Sequence, residues 1–205
     1  MSLAVVATAF LLIVPVELPD KTFIATLVLA TRFRPLFAWI GVGLAFAVQS
    51  LIAVLFGGLL SRLPTTPVSV AAAALFAVGA VLLWRSAATA DAEVAETEEE
   101  FAAKVSTGVT GLREIGTSFM VLFLAEWGDL SQLLTAGLAA KTKDPVAVFA
   151  GSWLALLLVS GAAALLGKAL LARMKLSRIH KIGAVVCGLL AVLVVLSLFG
   201  LSRPL

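Results

Sequence analysis

Residues 16–22 read VELPDKT and lie in the middle of an otherwise uncharged segment of the chain. No other charged residue occurs between positions 3 and 31, so the segment is long enough to cross a bilayer as a helix. It nevertheless carries Glu17, Asp20 and Lys21 near its centre. Because charges at that depth are costly, they point to a functional requirement rather than to packing.

The composition is that of a membrane protein. Of the 205 residues, 61% are hydrophobic and 13% are charged, and the mean hydropathy is +1.13. Soluble domains contain about 45–50% apolar and about 25% charged residues. The first apolar segment has no basic n-region and no convincing cleavage site, so it is expected to be a retained span. The net charge is +3, but the basic residues lie in short connections, which fits membrane orientation and not nucleic-acid binding.

Six apolar runs predict an all-α membrane protein with six transmembrane helices. They cover residues 3–31, 36–60, 67–84, 113–140, 146–171 and 180–200. The first, third and fifth connections contain nine Lys and Arg, whereas the opposite face contains four. The positive-inside rule therefore places both termini outside the cytoplasm. The expected location is a bacterial plasma membrane.

The two halves of the chain resemble each other. A shift of 109 positions places Glu17 and Asp20 on Glu126 and Asp129, and a shift of 110 aligns prolines and glycines further along. Each half contributes three spans. Because three is an odd number, the second half is expected to enter the membrane upside down relative to the first, as in many secondary transporters.

This duplication predicts three parts. Residues 1–85 form the first three-helix repeat, residues 86–112 form an acidic cytoplasmic linker, and residues 113–205 form the second, inverted repeat. The linker is the only strongly polar region, and it is expected to be a solvated connector.

Apart from Glu114, which begins the fourth run, every acidic residue within an apolar run belongs to one of two matched tetrads, ELPD and EWGD. Their acids are Glu17, Asp20, Glu126 and Asp129. Residues three apart share a helix face, so each tetrad can present two carboxylates together. An ionised carboxylate at the bilayer centre costs about 2.5–3.5 kcal/mol on insertion scales, so four of them require protons, bound cations or both. An alternative is that protonated acids only join the helices, although Ser, Thr, Asn and Gln usually serve that purpose.

The surroundings of the tetrads favour a cation site. Pro15 and Pro19 bracket Glu17 and predict a kink or an unwound turn, whose free carbonyls can add ligands. Gly128 gives the second tetrad a corresponding flexibility. The ligand set is all oxygen, because the single His and the single Cys of the chain lie far along the sequence from both tetrads. Oxygen ligands suit Ca²⁺, Mg²⁺ and Mn²⁺ and disfavour Zn²⁺ and Cu⁺.

The segments ELPDKT, residues 17–22, and EWGDLSQ, residues 126–132, resemble the twin E-x-G-D-K/R-S/T motifs of a known family. It is the Golgi and bacterial calcium/manganese transporter family, a branch of the cation/calcium exchanger superfamily. The resemblance covers essentially the whole chain. It implies that Mn²⁺ or Ca²⁺ is exported in exchange for protons, as a transported substrate and not as a cofactor. No enzymatic activity is expected.

The resemblance also assigns roles to residues. Its metal-binding acids match the four tetrad carboxylates. The resemblance implies that Thr22 and Ser131 are neighbouring polar members of the site. The sequence itself adds Lys21 and Gln132 as expected supporting residues. Gln49, on the second predicted span, is equally compatible with lining the pathway and with a hydrogen bond between helices.

Two positions depart from the family pattern. Pro19 stands where the first motif has glycine, and Leu130 stands where the second usually has a basic residue. Leu130 leaves the site one charge more negative than a version with two basic residues. Ion preference and proton stoichiometry therefore do not carry over from the family.

Two other functions stay open at this point. An intramembrane enzyme, such as an aspartyl protease, would use Asp20 and Asp129 as a pair sharing a proton, and its activity would be insensitive to Mn²⁺ or Ca²⁺. An exporter of small organic cations or amino acids would bind those substrates in competition with metal. The expected partners are a divalent metal ion, protons and the lipid bilayer, with no nucleic acid. The sequence leaves homo-oligomerisation open.

Overall fold

The computed structural model describes residues 2–17, 21–60, 64–105, 110–173 and ten single or paired positions between 181 and 199. All secondary structure in these residues is helical, as predicted. The helices are α1 (Leu3–Glu17), α2 (Lys21–Arg32), α3 (Pro35–Leu60), α4 (Thr65–Ser86), α5 (Ala90–Lys104), α6 (Leu112–Ala125), α7 (Leu130–Thr142) and α8 (Pro145–Arg173). The predicted sixth span, 180–200, lies largely outside the described residues.

The first predicted span of each half is broken in its middle. In the first half the break separates α1 from α2, whose axes differ by 75°. The prolines predicted a kink here, but α1 continues through Pro15 as far as Glu17, and Pro19 lies outside the described residues. In the second half α6 ends at Ala125 and α7 begins at Leu130. Gly128, between them, has φ +79°, a conformation that glycine adopts without steric cost.

The helix starts repeat with the same shifts as the sequence. The starts of α1 and α6, and those of α2 and α7, are 109 positions apart, and the starts of α3 and α8 are 110 apart. Both α3 and α8 begin with a proline, which at the first position of a helix sacrifices no intrahelical hydrogen bond. The duplication is therefore present in local structure as well as in sequence.

Each half supplies a long helix that packs on the broken helix of the other half. α3 packs against α6 and α7, and α8 packs against α1 and α2. A Cβ added at Gly41 of α3 would lie 2.4 Å from the Ile115 carbonyl oxygen of α6. A Cβ at Gly151 of α8, the counterpart of Gly41, would lie 2.4 Å from the Val6 carbonyl oxygen of α1. Small residues allow this close approach of apolar helices in lipid.

Hydrogen bonds at the helix starts show that α1 runs parallel to α8 and that α3 runs parallel to α6. The Ser2 backbone N–H, just before α1, donates to Asp144 Oδ2 just before α8, at 2.7 Å. The Arg34 N–H, just before α3, donates to Glu114 Oε2 in the first turn of α6, at 2.9 Å. The opposite orientation of the two repeats stays a prediction, and this parallel pairing favours it.

Within the described ranges, two helices are each long and apolar enough to cross a bilayer. They are α3, over Pro35–Leu59, and α8, over Pro145–Leu166. α1 and α2 together qualify as a third span if the bent pair is counted as one. The structure is thus a helical protein with two or three candidate spans, and the plan of six spans stays a prediction.

The acidic linker differs from the solvated connector expected from its composition. Residues 90–104 form α5, which packs against α2. Phe101 of α5 and its C-cap residue Val105 are buried in the main hydrophobic core. Glu96, Glu99 and Glu100 are exposed. The segment is therefore a helix with one docked face and one acidic, solvated face.

Candidate metal site at the two helix breaks

In the first half, the predicted site residues lie at the two helix ends that face the break. Glu17 is the last residue of α1, and its side chain is only 1% exposed. Lys21 is the first residue of α2 and is exposed, whereas Thr22 is buried. Asp20 lies outside the described residues. The structure therefore places a buried carboxylate and a buried hydroxyl where the sequence predicted them.

In the second half, Glu126 and Asp129 occupy opposite ends of the break. Glu126 is the C-cap of α6, is 5% exposed, and donates its backbone N–H to the Leu122 carbonyl at 3.0 Å. Asp129 is the N-cap of α7. One carboxylate therefore follows the carbonyl end of a helix and the other precedes the N–H end of the next, which is the arrangement of a discontinuous transporter helix.

The Asp129 carboxylate is held in place by its own helix. Its Oδ1 accepts the backbone N–H of Gln132 at 3.0 Å, the usual N-cap bond. The Ser131 hydroxyl donates to the same carboxylate, 3.0 Å from Oδ2. The predicted supporting residue Ser131 therefore contacts the acid directly and restricts its orientation.

The Gln132 side chain spans the turn between the two acids. Its Nε2 donates to the Glu126 carbonyl oxygen, and its Oε1 accepts the Gly128 backbone N–H at 3.1 Å. Gln49 of α3, which the sequence left undecided, donates from Nε2 to the Phe123 carbonyl oxygen of α6 at 3.2 Å. That bond joins residues 74 positions apart on two apolar helices, so the local sequence does not predict it.

Matched threonines form the same side-chain bond in the first turns of α2 and α7. The Thr26 hydroxyl donates to the Thr22 carbonyl oxygen at 2.8 Å, and the Thr135 hydroxyl donates to the Ser131 carbonyl oxygen at 2.7 Å. All four residues are buried. These two pairs correspond under the shift of 109, so the likeness of the halves extends to hydrogen bonds beside the acids.

The two broken helices contact each other crosswise, α1 against α7 and α2 against α6. This packing brings the two halves of the predicted site together at the level of helices. Among the described residues, which do not include Asp20, no three Asp, Glu, His or Cys side chains form a group that could hold a metal ion. The convergence of four carboxylates on one ion therefore stays a prediction.

Lys21 acts on the acidic helix α5. The pKa of the exposed Glu100 carboxyl is lowered, mainly by the hydrogen bond and charge of Lys104, whose Nζ is 2.6 Å from Oε1. The charge of Lys21 lowers it further as the smallest contribution. The basic residue of the first motif is thus within electrostatic reach of the linker helix.

Known proteins resemble this chain across both halves. A family model described as the divalent cation/proton antiporter GDT1 matches residues 5–91 and again residues 114–200. The GDT1-like protein sll0615 of Synechocystis sp. is 34% identical over 194 residues, which cover 90% of this chain and 94% of that protein.

Plant relatives are similar over a smaller part of their length. GDT1-like protein 1, chloroplastic, of Oryza sativa subsp. indica is 32% identical over 71% of this chain and 48% of its own length. Protein PAM71, chloroplastic, of Arabidopsis thaliana is 30% identical over 71% of this chain and 44% of its own length. No solved structure matches the chain.

Proposed function

Because this chain belongs to the GDT1 family of divalent cation/proton antiporters, we propose that it exports Mn²⁺, Ca²⁺ or both from the cytoplasm in exchange for protons. The family is one of transporters, which agrees with the expectation that the chain is not an enzyme. The proposed metal ligands are Glu17, Asp20, Glu126 and Asp129. Lys21, Thr22, Ser131 and Gln132 are the proposed supporting residues.

One observation carries this proposal: buried acids occupy counterpart positions at two helix breaks. Glu17 and Glu126 correspond under the shift of 109, and each ends the helix before its break. A buried carboxylate inside a membrane protein is expensive unless it binds a proton or a cation. Two such acids at matched positions fit the exchange of a metal ion for protons, because the metal ion and the protons neutralise the same carboxylates.

The proposed cycle follows from this competition. Metal ligation requires deprotonated carboxylates, so protons entering from the outer face weaken the metal site and release the ion. On the cytoplasmic face, metal binding displaces the protons. The Ser131 hydroxyl and the Gln132 N–H keep the Asp129 carboxylate oriented while a metal ion and protons alternate at the site. Oxygen ligands of this kind suit Mn²⁺ and Ca²⁺.

The proposed membrane arrangement is two inverted three-helix repeats with six spans and both termini outside, in a bacterial plasma membrane. It is supported by the matched helix bounds and by the parallel pairs α1 with α8 and α3 with α6. If α1 and α3 cross the bilayer in opposite directions, then α6, parallel to α3, runs opposite to its counterpart α1. The bend between α1 and α2 then lies within a span.

The decisive experiment measures Mn²⁺-dependent proton flux in proteoliposomes with a pH-sensitive dye inside. Asp20→Asn, Glu126→Gln and Asp129→Asn should each abolish the flux, because each removes a charge that metal and proton share. Purified variants should still elute as folded protein. The matched control is Glu99→Gln, which removes an exposed carboxylate on α5 and should leave the flux unchanged. Normal flux in both aspartate variants would overturn the site assignment.

Calorimetry of the purified protein then ranks the ions. Titrations with Mn²⁺, Ca²⁺ and Mg²⁺ at two pH values should show proton release on binding of the transported ion. Affinity should rise with pH, because deprotonated carboxylates are the binding form. Binding of an organic cation in competition with Mn²⁺, or metal binding without proton release, would contradict metal/proton exchange.

A further inference from the structure

Gln49 and Gln132 are the only residues with a carboxamide side chain in the whole chain, since the sequence contains no Asn. They are 83 positions apart, on α3 and α7, yet both donate from Nε2 to backbone carbonyls at the C-terminal end of α6. The two acceptors, Phe123 and Glu126, are three positions apart. Both side-chain amides of this protein therefore donate hydrogen bonds to the C-terminal end of α6.

The end of α6 needs such donors for a physical reason. The last four carbonyls of an α-helix have no intrahelical partner, and in a membrane protein water does not supply one. Gln49 is 2% exposed and satisfies one of them, and Gln132 satisfies another. Without these amides, buried carbonyls would lose their partners or the turn would rearrange to find others.

Gln132 joins both acids of the second tetrad. Its side chain holds the Glu126 carbonyl oxygen and the Gly128 N–H, and its backbone N–H holds the Asp129 carboxylate. The Glu126 N–H is already bonded within α6. The Glu126 backbone is therefore fixed from both sides, next to the Asp129 carboxylate that the same glutamine binds.

No amide side chain occupies the positions beside the break between α1 and α2 that correspond to Gln132 and Gln49. The counterparts of Gln132 and Gln49 under the two shifts are Phe23 and Val159, whose side chains cannot form hydrogen bonds. Phe23 and Val159 instead lie in one buried apolar cluster. The two halves of the site match in their acids but differ in how the backbone beside those acids is supported.

We propose that Gln49 and Gln132 are positioning residues that preorganise the Glu126–Asp129 half of the metal site through the end of α6, and not metal ligands themselves. This proposal rests on the proposed function. Groups that orient metal ligands typically change metal affinity by roughly 10- to 100-fold when they are replaced. Their effect should therefore appear as weaker metal binding with the maximal transport rate largely retained.

The test compares Gln132→Met and Gln49→Met with the wild type. Methionine preserves the length of the side chain and removes both its donor and its acceptor. The half-saturating Mn²⁺ concentration should rise roughly tenfold in each variant. Backbone hydrogen exchange in residues 124–130 should become faster, most of all in Gln132→Met, where Gly128 loses its acceptor. Thr142→Val is the matched control, because it removes a side-chain bond to the backbone of α7 away from the acids.

Gln132→Glu separates positioning from charge and from ligation, and it keeps the test usable if Gln132→Met does not fold. Glutamate retains the acceptor for Gly128 but has no donor for the Glu126 carbonyl when it is ionised. It also adds a negative charge beside the site. A positioning role predicts weaker Mn²⁺ binding in spite of that charge, whereas a ligand role predicts equal or tighter binding.

The outcomes separate the two proposals. If Glu126→Gln abolishes transport while both methionine variants keep the wild-type half-saturation, the positioning role is wrong and the proposed function stands. Faster exchange with unchanged half-saturation likewise overturns it, because the amides would then only stabilise the fold. If Thr142→Val weakens Mn²⁺ binding as strongly, the effect is not specific and the proposal fails. If the wild type neither binds nor transports Mn²⁺ or Ca²⁺, both proposals fall together.

Discussion

Leu130 illustrates how a single side chain changes the charge of the site. It stands where the family motif usually has a basic residue, one position after Asp129. Here its side chain packs over Gly79 of α4, where an added Cβ would lie 2.8 Å from Leu130 Cδ2. The leucine therefore contributes packing between α7 and α4, and the proposed site lacks one positive charge.

We expect Leu130→Lys to weaken Mn²⁺ binding by about tenfold or more, because a unit charge next to the site repels a dication strongly at low dielectric. It should also lower the unfolding temperature, since leucine packing on α4 is lost. Leu130→Met, a volume-conserving change, is the control and should retain the affinity. Calorimetry and thermal unfolding measure the two effects. Unchanged affinity in Leu130→Lys would show that residue 130 lies outside the reach of the site.

At the scale of elements, the breaks were largely predictable and the role of the linker was not. Prolines around Glu17 and the glycine before Asp129 indicated interrupted helices, and the described acids Glu17, Glu126 and Asp129 lie at the ends of those helices. The linker was read as a solvated connector because acidic residues dominate its composition. The docking is visible only in the structure, where Thr97 and Phe101 of α5 and the C-cap residue Val105 are buried. Two apolar positions are too few to establish a period in the sequence.

Phe101→Ala should detach α5 from α2, because replacing a buried phenylalanine by alanine costs about 3–5 kcal/mol. The separated linker should then be cleaved faster by an added protease, within residues 86–112. Phe101→Leu keeps most of the apolar contact and should remain more resistant. Glu99→Ala, a truncation at an exposed position of α5, should leave the rate of cleavage unchanged. Resistance equal to the wild type in Phe101→Ala would contradict a docked α5.

At the scale of the whole molecule, the duplication was predictable but the pairing of helices was not. The sequence shifts of 109 and 110 reappear in the helix bounds. The sequence does not show that α3 packs on α6 and α8 on α1, because helices in lipid are apolar on nearly all faces. No hydrophobic face then marks the partner, and small residues at the contact decide it. Gly41 and Gly151 are such residues, whereas Gly58 on α3 makes no close contact.

The two halves should therefore respond alike to the same change at these glycines. Gly41→Ala and Gly151→Ala each place a methyl group 2.4 Å from a carbonyl oxygen of the other half, a contact that forces the helices apart. Overpacking of this kind typically destabilises by about 1–3 kcal/mol.

Gly58→Ala is the matched control, because it lies on α3 with nothing within 4 Å of an added Cβ. Alanine is favoured over glycine in a helix interior, so this control should be neutral or stabilising. Unfolding in detergent measures all three. Similar losses of stability at residues 41 and 151, absent at 58, would support a two-fold arrangement in which the long helix of each half packs on the broken helix of the other. A loss at only one of the two glycines would show that the halves are joined unequally.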